Sequence, residues 1–198
     1  MIDYHRMWKM SDMLKNSTFR VKSGKKTSSE ERRRLIRGEV KPQEAIPYRH
    51  YMGGGVPKDL IGTGRGGGDF ILSDRVIEAL RAGKFTGWST YPVRITGKSG
   101  EDVPGYHGLV ITGRCMQDQS KGEVTMERPD GQSARMRGLF LDEKTWDGSD
   151  IFMLGVAGSI CMTEPVHDAI MALKPTNIRF TRLEEVVWLY INRNQPAN

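Results

Sequence analysis

Cysteine is scarce in this chain of 198 residues: Cys115 and Cys161 are the only two, and they do not stand in C-x-x-C spacing. That argues against a disulfide framework or a cysteine zinc site and makes burial the expected use of both thiols. Long apolar runs are missing too. None approaches the ~20 residues that a membrane-spanning helix needs, and the opening MIDYHRMWKMSDMLKNS lacks the apolar core and small-residue cleavage site of a signal peptide. The expected location is the cytoplasm, with no membrane partner. The four histidines, His5, His50, His107 and His167, are scattered, and none lies in H-x-x-x-H or H-x-E spacing, so no metal site is expected. No G-x-x-x-x-G-K-[ST] pattern occurs either.

Glycine, by contrast, is abundant, at 23 residues against a usual share of ~7%. Gly62, Gly64 and Gly67 spell G-x-G-x-x-G, but a phosphate cradle needs its glycines between a strand and the first turn of a helix. Here Asp69-Phe70-Ile71-Leu72 follows as a short strand, and the helix begins only after Ser73. The glycines come one element too early and read as a connection. Ser73 is the expected N-cap, Asp74 favours the positive end of the helix dipole, and Gly83 is the expected stop.

Charge is unevenly placed. Residues 1–66 carry 15 Lys/Arg against 7 Asp/Glu, and the remainder 15 against 17, within a net charge of +6. The densest stretch, RVKSGKKTSSEERRRLIRGEVK over residues 20–41, mixes serine, glycine and glutamate with the bases and reads as a solvated loop. A nucleic-acid arm is the alternative, weakened by the absence of aromatic side chains from the cluster itself.

Laid on itself with an offset of 90 residues, the chain matches FILSDRVIEALRAGKFTGW to ICMTEPVHDAIMALKPTNI. Ser73 meets Thr163, Asp74 meets Glu164, Val76 meets Val166, Leu80 meets Ile170, and Lys84 meets Lys174. Each copy has an apolar strand, a hydroxyl N-cap, an acidic first turn and an apolar helical face, then a period-two strand: Tyr91, Val93 and Ile95 in the first, Ile178 and Phe180 in the second. Between them, residues 91–115 read as two strands, EVTMERPDGQSARMRGLFLD as a hairpin turning at Pro129-Asp130-Gly131, and TWDGSDIFML as a turn and a strand. TRLEEVVWLYINRN reads as a last helix, with Thr181 and Glu184 in capping-box spacing. The expected fold is α+β, a mostly antiparallel sheet with a few packed helices and a duplicated strand-helix-strand unit. Its expected division is a basic N-terminal segment, 1–67, partly flexible and packing on a main domain, 68–198.

The reactive side chains do not converge on one reaction. Ser159 lacks a G-x-S-x-G elbow, Cys161 and His167 lie across a helix cap, and Asp147 with Asp150 reads as a turn. No catalytic residue and no cofactor is assigned. The segments DFILSDRVIEAL, GWSTYPVRI, GYHGLVITGRC, TWDGSDIF and CMTEPVHDAIMALKPTNIRFTRL, spanning about residues 68–183, resemble the eleventh family of predicted immunity proteins of bacterial polymorphic-toxin systems. The resemblance implies an α+β cytoplasmic protein, not an enzyme, that binds and neutralises a cognate toxin encoded nearby. The basic N-terminal segment is longer than the resemblance implies. Candidate partner contacts are the turn and strand-end residues Trp88, Tyr91, Arg114, Trp146 and Asp147.

Overall fold

A computed structural model describes residues 3–13, 18–24, 28–63, 70–127, 133–155 and 158–191. In chain order the elements are β1 (Met7–Asp12), β2 (Arg20–Ser23), α1 (Ser29–Ile36), β3 (Ile46–Met52), β4 (Leu60–Gly62), β5 (Phe70–Ser73), α2 (Asp74–Ala82), β6 (Trp88–Thr96), β7 (Tyr106–Ile111) and β8 (Gly113–Cys115). They continue as β9 (Glu123–Glu127), β10 (Ser133–Arg137), β11 (Ile151–Leu154), β12 (Ser159–Thr163), α3 (Glu164–Met171), β13 (Ile178–Arg182) and β14 (Val187–Ile191). The fold is α+β. Six strands close a barrel in the order β2-β3-β6-β7-β5-β4, five form an open sheet β13-β1-β12-β11-β8, and three form a small sheet β14-β10-β9. Most pairs are antiparallel; β2–β4, β3–β6 and β8–β11 are parallel.

The two segments that match in sequence each give a strand, a helix and a second strand, with a third strand slotted between the two. In the barrel β7 lies between β5 and β6, so that His107 faces both Leu72 and Pro92. In the open sheet β1 lies between β12 and β13, so that Trp8 faces both Met162 and Arg182. Those partners stand 90 residues apart. The next strand repeats the register: Ile61 pairs with Ile71, and Phe152 with Cys161. The backbone of Ser73 donates to Asp59 O at 3.0 Å and that of Thr163 to Asp150 O at 2.9 Å. Helix ends agree as well. Gly83, the expected stop, keeps right-handed geometry, and the left-handed residue is the lysine that follows, Lys84 at φ 53°, matched by Lys174 at φ 53°. A non-glycine residue there costs about 1 kcal/mol.

Side chains from all six barrel strands, among them Val21, Tyr48, Ile61, Ile71, Tyr91 and Val110, meet in one cluster that fills the barrel. Gly108 is required there, because a Cβ would stand 2.0 Å from the Tyr91 ring. A second cluster joins barrel, helices and open sheet through Leu72, Val76, Leu80, Ile160, Val166 and Ile170. The opposite face of the open sheet, with Phe152, Leu154 and Cys161, packs on Leu139, Leu141, Leu183 and Val186. One face of the small sheet lies over this last cluster through Trp188, whose indole N–H donates to Gly138 O at 2.9 Å.

Two expectations are corrected. Within residues 20–41, the described stretches 20–23 and 28–36 are not solvated loop: β2 is a barrel strand, and α1 opens on a capping box in which Ser28 and Glu31 bond each other's backbone. Val21, Leu35 and Ile36 are buried, and three apolar anchors suffice to hold a segment whose other side chains are charged. Residues 1–67 accordingly supply β1 to the middle of the open sheet and β2, β3 and β4 to the barrel. The last helix is absent too. Thr181 lies in β13, Leu183–Glu185 form a 3-10 turn, and Val187–Ile191 pair with β10. The run Val186-Val187-Trp188 favours a pleated, half-buried surface over helix, and β10 offers the edge. Gly64, Gly67 and Pro129–Gly131 lie outside the described residues, although β9 and β10 pair on either side of the latter.

Candidate partner-binding surface

Three of the five expected contact residues meet in one corner. Asp147 and Gly148, the latter at φ 81°, turn the chain into β11. The Asp147 carboxylate accepts from Ser149 N at 3.0 Å and from Arg114 N at 2.9 Å. Burial pushes that carboxyl up, but the hydrogen bonds from Ser149 and Arg114 outweigh it and leave it below the usual carboxylate range. Trp146 donates from its indole to Ser149 O at 3.2 Å and packs on Phe152. Arg114 donates to Gly113 O at 2.8 Å and to Arg37 O at 3.0 Å, and burial, with the charge of Arg37, makes its guanidinium easier to deprotonate than a free one. Beside it lies a depression of about 200 Å³ lined by Arg37, Arg114, Met116, Thr145 and Met153. All three residues hold their own turn together.

The other two do not join them. Trp88 is half-buried at the start of β6, with its indole bonded to Phe85 O at 2.9 Å. Tyr91 is 2% exposed inside the barrel, its hydroxyl 3.0 Å from that of Tyr48, and is not available to a partner. The alternation Tyr91, Val93, Ile95 identified one strand face, and barrel closure turned that face inward.

The histidines are engaged in local bonds. His107 pairs with Asp74 at 3.0 Å, His5 with Glu184 at 2.8 Å, and His167 with Asp168 at 2.8 Å while stacking on Trp8. His50 bonds Gly53 O at 2.6 Å. Asp59 is buried and takes both Arg75 and Ser73, and the Arg75 bonds hold its carboxyl below the usual range. Burial pushes the Cys161 thiol far up, and the Cys115 thiol up. Among the described residues, no group of three or more His, Cys, Asp or Glu is arranged to hold a metal, and no helix is long and apolar enough to cross a membrane.

What the sequence did not single out is the outer face of the small sheet. Arg135, at the middle of β10, pairs with Met126 on one side and Leu189 on the other, and Arg137 pairs with Glu123 and Val187. Directly paired residues share a face. Met126 is 57% exposed, Leu189 53% and Val187 57%, and both arginines are exposed. Val124 pairs with Met136 on the opposite face and is half exposed because β9 is an edge strand. Met136, Val186 and Trp188 point the other way, into or against the core. The available signal was Val186-Val187-Trp188-Leu189, apolar on both faces of a strand; read as a helix, that second face disappears.

No protein-family model matches the chain, and no curated protein matches it.

Proposed function

We propose that this chain is a cytoplasmic immunity protein that binds a cognate bacterial toxin and neutralises it by direct complex formation, without turnover. The observation that carries the proposal is the outer face of the β9-β10-β14 sheet, where Met126, Val187 and Leu189 stand more than half exposed although the inner face already covers the core. Grouped aliphatic side chains around a cation are what interfaces use and what free surfaces keep small. The local pairing of the histidines and the depth of Cys161 favour binding over catalysis, because among the described residues no nucleophile stands beside a free base. The test is co-expression with the toxin gene adjacent to this one: a stable one-to-one complex and survival of the host are expected, and a toxin that stays active and unbound sinks the proposal.

The nucleic-acid alternative gains no such support. In α1, Arg33 pairs with Glu30 and Arg34 with Glu39, so that part of the basic run is neutralised within its own segment. We further infer that the two strand-helix-strand segments are copies of one unit, each lending the strand after its middle strand, β2 or β8, to the other's sheet. The shared register and the matching left-handed lysines support it.

A further inference from the structure

We infer that the outer face of the small sheet receives an apolar partner surface that carries a carboxylate over Arg135; the inference rests on the binding role proposed above and names the chemistry of the partner. Arg135 lies in register between Met126 and Leu189, both more than half exposed, and forms no ion pair with a described residue. Covering the two aliphatic side chains necessarily covers the guanidinium between them. A purely apolar partner would leave that charge desolvated and unpaired, which costs more than the flanking contacts return. A carboxylate matches the planar fork of arginine with two parallel hydrogen bonds and removes the penalty. A basic or neutral apolar partner is thereby disfavoured, as is a second copy of this chain docked about Arg135, which would set guanidinium against guanidinium on molecules of net charge +6. The rest of the face fits the same occupant. Val187 extends the apolar strip along β14, and Arg137 beside it supplies a second cation, in backbone register with Glu123.

The experiment has a chemical arm and a biological one. In the first, full-length chain is titrated with a short peptide alternating leucine and glutamate and with its leucine-lysine counterpart, followed by amide chemical shifts. The acidic peptide should perturb β9, β10 and β14, and Arg135→Glu should weaken its binding at least about tenfold. Equal binding of the lysine peptide, or undiminished binding by the Arg135→Glu variant, overturns the inference. Sedimentation of the free chain should show a monomer; self-association that Leu189→Asp abolishes would make a second copy the occupant and overturn it as well. In the second arm, affinity for the adjacent-gene toxin should fall about 100-fold in Arg135→Glu and in Met126→Ser/Leu189→Ser, yet stay within about threefold in Val56→Ser, an exposed aliphatic elsewhere on the chain. Full affinity in the Arg135→Glu variant would overturn the inference and leave the immunity role standing. No complex with the unaltered chain would overturn that role, and the peptide arm would then decide the inference alone.

Discussion

The barrel and the open sheet begin from the same arrangement and end differently. Each has a trio of strands with the connecting helix on one side, a fourth strand paired antiparallel, and a fifth paired parallel: β6-β7-β5-β4-β2 in one region, β13-β1-β12-β11-β8 in the other. In the first, β3 joins β2 to β6 and closes the ring. Closure pairs every edge and places Tyr48 and Tyr91 hydroxyl to hydroxyl in the interior. In the second, no strand among the described residues joins β8 to β13. Residues 116–145, which occupy the place in the chain that 24–59 hold in the barrel, build β9 and β10 instead, and β14 completes a separate sheet. One of these segments closes a core. The other covers a core with one face and turns its second face to solvent, and that is where an interface can form.

The largest effect should come where the two regions share a core. Leu80 and Ile170 are each 1% exposed on helices that pack in one cluster. Leu80→Asp and Ile170→Asp should each abolish cooperative folding, since a buried unpaired charge costs several kcal/mol. Loss of hydrogen-exchange protection in one region alone would show that barrel and sheet fold independently. Next come the loops after the helices. Gly87, at φ 83°, accepts at its carbonyl from Thr112 N and Gly113 N, and a Cβ would meet Ile151 O at 2.0 Å. Gly87→Ala should cost at least about 2 kcal/mol in urea unfolding. Asn177, 90 residues on, spends its side chain on the Leu60 backbone, and Asn177→Ala should cost about 1 kcal/mol. Equal costs would dissolve the distinction between the two loops.

A pH-dependent difference of about 1 kcal/mol is expected at Asp59, the barrel-side counterpart of Asp150. The Arg75 hydrogen bonds, ahead of the opposing desolvation, lower its folded pKa. A lowered carboxylate contributes its stability above the unfolded pKa of about 3.9 and loses it as pH falls through the folded value. The figure stays small because the Arg75 side chain is 52% exposed. Asp59→Asn should therefore be less stable than the parent at pH 7, with the gap closing below about pH 4; a gap that widens on acidification would reverse the assignment. The smallest effect belongs to the outer face: Met126→Ser/Leu189→Ser should shift stability by no more than about 0.5 kcal/mol, because those side chains cover no core. A marked drop in melting temperature would mean that the face serves the fold rather than a partner.

Local signals were legible in the chain alone. Ser73 and Thr163 precede the two helices, the faces Val76, Leu80 and Val166, Ile170 are buried, and the strands around residues 91–115 pair as their alternation required. These follow from periodicity and capping, which act over a few residues. The turn at Asp147-Gly148 was recognisable for the same reason. What the sequence could not supply was the side of each strand that a distant partner would cover. Tyr91 passed as a surface aromatic until closure by β3 turned its face inward, and Val187 and Leu189 passed as helix until β10, some fifty residues earlier, took them into a sheet with that face left open. A strand's pattern fixes which residues share a face; only the strands and sheets packed around it decide whether that face meets core or water.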